Sequence, residues 1–271
     1  MHGEPGGGGP GGMTDVLARI VADKRARLAR GEYFPPPAAR VPAAGPPDGP
    51  RFVAALRQPG IRVIAEIKQR SPSAGEILPG AEGKIETMAL AYRRGHAAAL
   101  SVVVEEDHFG GKPEWLSRAK RISGLPALWK DFVVAPQQVE LAASLGADAV
   151  LLIARVLSDA ELASLSEAAR AVGLAVVVEV HDAAEIGRAA AATPDVIGVN
   201  ARDLTNFATS LDTIEALGPA LPAGPVRLAE SGIRESGDVR RLRAAGYEAF
   251  LVGEALLRAE DPEEALRELR R

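Results

Sequence analysis

A set of residues able to move protons or hold charge borders, or lies inside, short apolar runs. Glu66 and Lys68 close Val63–Ile67, Lys130 follows Ala127–Trp129, Glu179 lies within Ala175–Val180, Asn200 follows Val196–Val199, and Glu230 follows Val226–Ala229. Charged groups are rarely buried unless they are paired or at work. A lysine that is desolvated or crowded by cations has a lowered pKa and can donate a proton at neutral pH. The same charges could instead close the top of a fold as structural salt bridges. A second set is built from glycines: Ser231-Gly232 follows one run, and Gly253 follows Phe250–Val252. Glycine lets backbone N–H groups come close to an anion and tolerates positive φ, so the pair suits a phosphate. Ser231 is no nucleophile of the elbow type, because Ala-Glu-Ser-Gly-Ile lacks the first glycine of G-x-S-x-G. Phe109, Phe132, Leu151 and Leu204 also fall at or after the ends of runs, where apolar side chains can wall an aromatic ligand or simply fill a core. Together these groups suit a phosphorylated substrate that carries an aromatic group.

The elements that must position them alternate along the chain. Eight runs rich in Val, Leu, Ile and Ala read as strands buried on both faces: Val63–Ile67, Ala99–Val104, Ala127–Trp129, Ala149–Ile153, Ala175–Val180, Val196–Val199, Val226–Ala229 and Ala249–Val252. Helical patterns lie between them, among them Pro136–Leu145, Asp159–Val172, Ala183–Ala192, Glu235–Ala245 and Pro262–Leu269. Gly146, Gly173 and Gly246 supply the C-terminal stop that returns the chain to a strand. Eight such units predict an α/β fold, a (β/α)8 TIM barrel, whose active site is built at the C-terminal ends of its strands. An open doubly wound sheet is disfavoured, because no G-x-G-x-x-G follows the first strand. Glu185 and Glu215 fall in helical segments and read as solvated.

Three parts are expected. Residues 1–13, mostly Gly and Pro, read as a disordered leader. Residues 14–60 read as an N-terminal helical extension packed on the barrel. Within it, Val16, Leu17, Ile20, Val21 and Leu28 recur at helical spacing over Thr14–Arg30, and Pro35–Pro50 connects to a short helix, Phe52–Arg57. Residues 61–271 form the barrel.

Composition narrows the classes. The chain has 271 residues, 47% hydrophobic and 25% charged, enough for one large core. A net charge of −4 offers no basic footprint for nucleic acid, and Arg240-Arg241-x-Arg243 reads as a solvated helix face. There is no cysteine, and His2, His96, His108 and His181 show no metal-ligand spacing, so no metal site is expected. No apolar stretch approaches the roughly 18 residues of a membrane span. The default expectations are a cytoplasmic location, no membrane partner and a monomer or weak homo-oligomer.

Six words in order strongly resemble the indole-3-glycerol phosphate synthase family: Ile64-Ala-Glu-Ile-Lys-Gln-Arg-Ser-Pro-Ser-Ala-Gly75, Trp129-Lys-Asp-Phe132, Gly146-Ala-Asp-Ala-Val-Leu-Leu-Ile153, Val178-Glu-Val-His-Asp182, Gly198-Val-Asn-Ala-Arg-Asp-Leu204 and Ala229-Glu-Ser-Gly-Ile233. The resemblance implies closure of 1-(2-carboxyphenylamino)-1-deoxyribulose 5-phosphate to indole-3-glycerol phosphate, with loss of carbon dioxide and water, without metal or organic cofactor. It implies that Lys130 protonates the ribulose carbonyl, that Glu179 is its carboxylate partner, and that Glu66 and Lys68 assist dehydration. Asn200 and Glu230 would orient substrate and charges, Ser71 and Arg202 would bind anionic groups, and Phe109, Phe132, Leu151 and Leu204 would surround the aryl ring. Ser231, Gly232, Gly253 and the adjoining Glu254 would hold the phosphate, with the Glu254 side chain directed away from it. The chain departs from the family at Ser101-Val-Val-Val-Glu-Glu-Asp-His-Phe109, at Glu254, where some members carry a small hydroxyl residue, and in its glycine-rich leader. The alternatives are another phosphosugar isomerase or lyase on the same barrel, or an inactive ligand-binding paralogue; the presence of both Lys130 and Glu179 favours the enzyme.

Overall fold

The computed structural model describes residues 14–32, 43–200 and 210–271. Eight parallel strands close into a barrel: β1 (Arg62–Ile67), β2 (Ala99–Val103), β3 (Ala127–Lys130), β4 (Ala149–Ile153), β5 (Ala175–Val180), β6 (Val196–Asn200), β7 (Val226–Glu230) and β8 (Ala249–Val252). Each strand pairs with its sequence neighbours, and β8 returns to β1 with Ala65 beside Val252. A two-residue ribbon, Arg70–Ser71 with Gly75–Glu76, follows β1. The predicted strands are all present. Three run one residue beyond their apolar stretch, so Lys130, Asn200 and Glu230 are the last ladder residues and not loop residues. The ladder holds their backbones, which is a more rigid mounting than a loop.

Strand side chains alternate in direction, so the barrel has two cores. Outward residues such as Val63, Ala65, Val102, Val150 and Val178 pack beneath the helices, while Ile64, Leu128, Leu151, Val177, Leu228 and Leu251 fill the interior. Among the described residues, two helices precede the barrel. Helix α1 (Thr14–Ala29) lies at the C-terminal end of the strands, where Val16, Leu17 and Ile20 face the mouth. Helix α2 (Gly49–Leu56) closes the other end. The Asp48 carboxylate accepts the Arg51 N–H at 3.0 Å, and Pro50 occupies the first turn, both ordinary helix starts. Phe52 and Leu56 then enter the interior, fully buried among the first residues of the strands. Gly49 permits this approach: a Cβ there would lie 2.6 Å from the Ala175 nitrogen. Gly146, Gly173 and Gly246 end their helices at φ +86°, +83° and +95°, as expected of left-handed caps.

The leader and residues 33–42 of the connector lie outside the described residues, as do Arg202 and Leu204. No described helix is long and apolar enough to cross a membrane.

Because Phe52 plugs the end remote from the mouth, its loss should act on stability alone. Phe52→Ala is expected to cost about 3–5 kcal/mol in urea unfolding with KM unchanged, as for other buried aromatic truncations. A changed KM with unaltered stability would contradict that placement.

Candidate active site

The barrel opens at the C-terminal ends of its strands into a cavity of about 510 Å³. Glu66, Lys68, Lys130, Glu179, Asn200 and Glu230 all line it. The Lys130 ammonium lies 2.9 Å from Glu230 Oε2 and 3.2 Å from Glu179 Oε2. β3 and β7 are opposite strands of the ring, so the Lys130–Glu230 contact crosses the interior. Lys68 Nζ sits 2.6 Å from Glu66 Oε1, and the Ser101 hydroxyl donates to Glu66 Oε2 at 3.4 Å.

This environment corrects the expected direction of the Lys130 pKa. Burial pulls it down, but the Glu230, Glu179 and Glu66 carboxylates outweigh burial and hold it well above the ordinary lysine range. Lys130 is therefore a firmly protonated ammonium, ringed by anions. Burial likewise pushes Glu179 up, yet Lys130, His181 and a hydrogen bond from Asn200 bring it below the usual carboxylate range. Glu230 goes the other way. Burial and the Glu179 and Glu66 charges outweigh Lys130 and push it up to about 7. Its Oε1 has no hydrogen-bond partner among the described residues.

Two glycines make room for these acids. A Cβ at Gly198, on β6, would collide with Glu230 Oε1, and one at Gly253 would stand 2.6 Å from Glu66 Oε1. Gly253 has φ −121°, so its requirement is space and not a left-handed backbone. Ser231 and Gly232 do need such a backbone, at φ +72° and +78°. A serine held there is strained.

Ser231, Gly232, Gly253 and Glu254 line the cavity below β7 and β8. The Glu254 carboxylate turns to Arg258 Nε at 3.0 Å and is 42% exposed. Phe109 and Phe132 face the same cavity from the loops after β2 and β3, with ring centroids 6.0 Å apart, and Leu151 rises from β4. Ser71 is not among the lining residues; its hydroxyl lies 3.2 Å from the Ser73 hydroxyl and accepts the Ala74 N–H at 3.1 Å. Glu185, expected to be solvated, is instead buried: it accepts the His181 N–H and Arg155 Nε, both at 2.7 Å.

A family model for indole-3-glycerol phosphate synthase matches residues 17–269. The chain belongs to the indole-3-glycerol phosphate synthase family. Two relatives bearing that family name illustrate the match. One from Acidithiobacillus ferrooxidans is 44% identical over 95% of this chain and 99% of its own length. The "Indole-3-glycerol phosphate synthase 2" of Streptomyces coelicolor is 44% identical over 92% of this chain and 96% of its own. Among solved structures, a 3-hexulose-6-phosphate synthase superposes with TM-score 0.60 at 17% identity, covering 78% of this chain and 98% of that one, which speaks for the barrel alone.

For a synthase-family site, several lining residues escaped the sequence reading: His181, Glu105, Asp131, Arg234 and Arg258. His181 had a signal, since it stands two residues beyond Glu179 and so shares its inward face. Arg234 and Arg258 carried none, because nothing in their local pattern distinguishes them from solvated arginines.

The raised Glu230 pKa has a signed consequence for stability. The folded state binds more protons than the unfolded state between the ordinary carboxylate pKa and about 7, so this group's contribution falls as pH rises through that window. Glu230→Gln, which mimics the protonated acid, is therefore expected to raise the Tm at pH 8, with the gain fading by pH 5. A gain equal at both pH values, or none, would refute the assignment.

Proposed function

We propose that this chain closes 1-(2-carboxyphenylamino)-1-deoxyribulose 5-phosphate to indole-3-glycerol phosphate, releasing carbon dioxide and water. The observation that carries the reading is the Lys130 ammonium, fixed among carboxylates in a cavity that also holds an aromatic wall and the left-handed Ser231-Gly232 turn, read here as an anion nest. β3 lies directly across the ring from β7, so a substrate with its aryl end at Phe132 and Phe109 and its phosphate at Ser231-Gly232 would cross the Lys130–Glu230 pair. Arg258 and Arg234 stand on the phosphate side as further cations. Holding both ends places the attacking aryl carbon and the carbonyl together, the main source of rate in such an intramolecular closure.

The aryl carbon bearing the carboxylate attacks the ribulose carbonyl carbon, and the oxygen gains negative charge. Lys130 stabilises that charge and delivers its proton, because the nascent alkoxide is a stronger base than the amine. Glu179, held ionised, faces the positive charge left on the arylamine. Carbon dioxide then departs and its bonding electrons restore the ring. The Lys68–Glu66 pair serves the last step, with Lys68 protonating the leaving hydroxyl and Glu66 accepting a proton. Asn200 steadies Glu179, and Glu230 holds Lys130 across the barrel. Leu151 lies beneath the aryl wall; Arg202 and Leu204 are carried over from the family resemblance, with Ser71 acting through its loop.

Incubation of the purified protein with this substrate, while following indole absorbance, tests the reading; no product would overturn it. Lys130→Met is expected to lower kcat by at least about 10²–10⁴-fold with little change in KM. Lys130→Arg should recover little, since a guanidinium stays protonated and is shaped differently. A near-normal kcat in folded Lys130→Met protein would pass the acid's role to Lys68.

At the phosphate end, Gly232→Val forces a branched side chain onto φ +78° and is expected to raise KM strongly, while inorganic phosphate should compete with substrate. An unaltered KM in the folded variant would remove the nest from the site.

A further inference from the structure

The most deeply buried charged cluster outside the proposed chemistry is centred on Lys24 of α1. Its side chain is 2% exposed, and its ammonium lies 3.1 Å from Asp131 Oδ1 and 3.4 Å from Glu105 Oε1. The two acids come from different βα loops, and both are themselves buried. Each acid also organises its own loop. Glu105 accepts the N–H groups of Asp107, His108 and Phe109 at 3.3, 2.7 and 3.0 Å. Asp131 accepts the Phe132 N–H at 2.8 Å and faces the Gln138 amide at 3.4 Å. The loops so held present Phe109 and Phe132, and α1 lays Val16, Leu17 and Ile20 against the same space.

A buried lysine is costly without partners, and burial does pull this one down, but the two carboxylates more than offset that. A surface tether needs no such burial. Arg27, one turn on, joins α1 to Glu106 and Asp107 of the same loop through exposed pairs at 2.8 Å. Among the ion pairs described for α1, those of Lys24 reach both loops.

We infer that Lys24 is a positioning residue for aryl recognition: its ammonium sets the spacing of the Phe109 and Phe132 loops and seats α1 over them. This deepens the proposed activity and rests on it. The ion pairs described for Lys24 run to the loop acids Glu105 and Asp131, so its loss should be felt in binding at one end of the substrate.

The test uses the full chain carrying Lys24→Met, with the carboxyphenylamino-deoxyribulose phosphate as substrate and inorganic phosphate as competitive probe of the other end. KM is expected to rise about tenfold or more, the value of a well-placed aromatic contact, while the inhibition constant of phosphate stays within about twofold. Amide hydrogen exchange at residues 107–109 and at Phe132 should quicken in the ligand-free protein. Arg27→Ala, which cuts only exposed pairs, should leave KM within about twofold. If Lys24→Met does not fold, Lys24→Met with Asp131→Asn keeps the cluster's net charge while Glu105 retains its three N–H donors, and the same readings apply. An unchanged KM, a phosphate constant rising in step with KM, or an Arg27→Ala effect as large as that of Lys24→Met would each overturn the inference. A wild-type chain without synthase activity would instead remove the functional reading, and the exchange at residues 107–109 would then decide whether Lys24 orders these loops.

Discussion

A closed eight-strand barrel must fill its own interior, and it does so in layers of four side chains drawn from alternate strands. Glu66, Lys130, Glu179 and Glu230 come from β1, β3, β5 and β7, and Lys130 feels all three acids. The last layer before solvent is thus built on the same geometric plan as the apolar layers beneath it, but with three carboxylic acids around one ammonium. One cation cannot balance three buried anions. The imbalance is relieved by Glu230, whose proton is held up to about pH 7, and by Lys68 at Glu66. Such a layer is poor for stability, since apolar side chains would fill the same positions at lower cost. Its retention is what an active centre looks like when local stability yields to chemistry.

The neighbouring layer explains how the acids fit. Bulky residues at every inward position would leave no room for four long polar side chains at one level. Gly198 on β6 and Gly253 after β8 are the absent side chains beside Glu230 and Glu66. Gly253 therefore answers to two demands at once. It frees the Glu66 carboxylate on one side and lies on the cavity wall of the phosphate end on the other. Any side chain there would disturb the acid layer before it met a ligand.

The fold was almost fully legible in the sequence, because strand–helix alternation and glycine stops are local signals that the barrel does not override. The acid layer was legible for the same reason: an acid or lysine closing an apolar run is visible without tertiary knowledge. What local pattern could not give was sign. Whether Lys130 sat among cations or anions depended on which strands faced it across the ring, and that reversed the expected shift. Glu185 read as solvated because helical spacing says nothing about Arg155 arriving from another unit. Lys24 was the subtler loss. It continues the Val16–Ile20 stripe at i+4 spacing, so a lysine on an apolar helix face was there to be noticed, but its two acid partners lie about a hundred residues away in separate loops.

The division of labour follows from how each part is mounted. In the proposed site, the groups that would meet a reacting atom sit on ladder residues or immediately beyond them, where the strands fix the backbone. The groups proposed to recognise the substrate's ends sit on loops, which need their own supports. At the proposed phosphate end the support is backbone conformation itself, with Ser231 strained into the left-handed region beside Gly232. At the proposed aryl end the phenylalanines are presented by the loops after β2 and β3. Their order comes from buried carboxylates bonded to backbone N–H groups, and from the helix that brings Lys24 to those carboxylates. An extension outside the barrel's repeat thereby brings apolar side chains to the cavity and a buried cation to the acids of two of its loops.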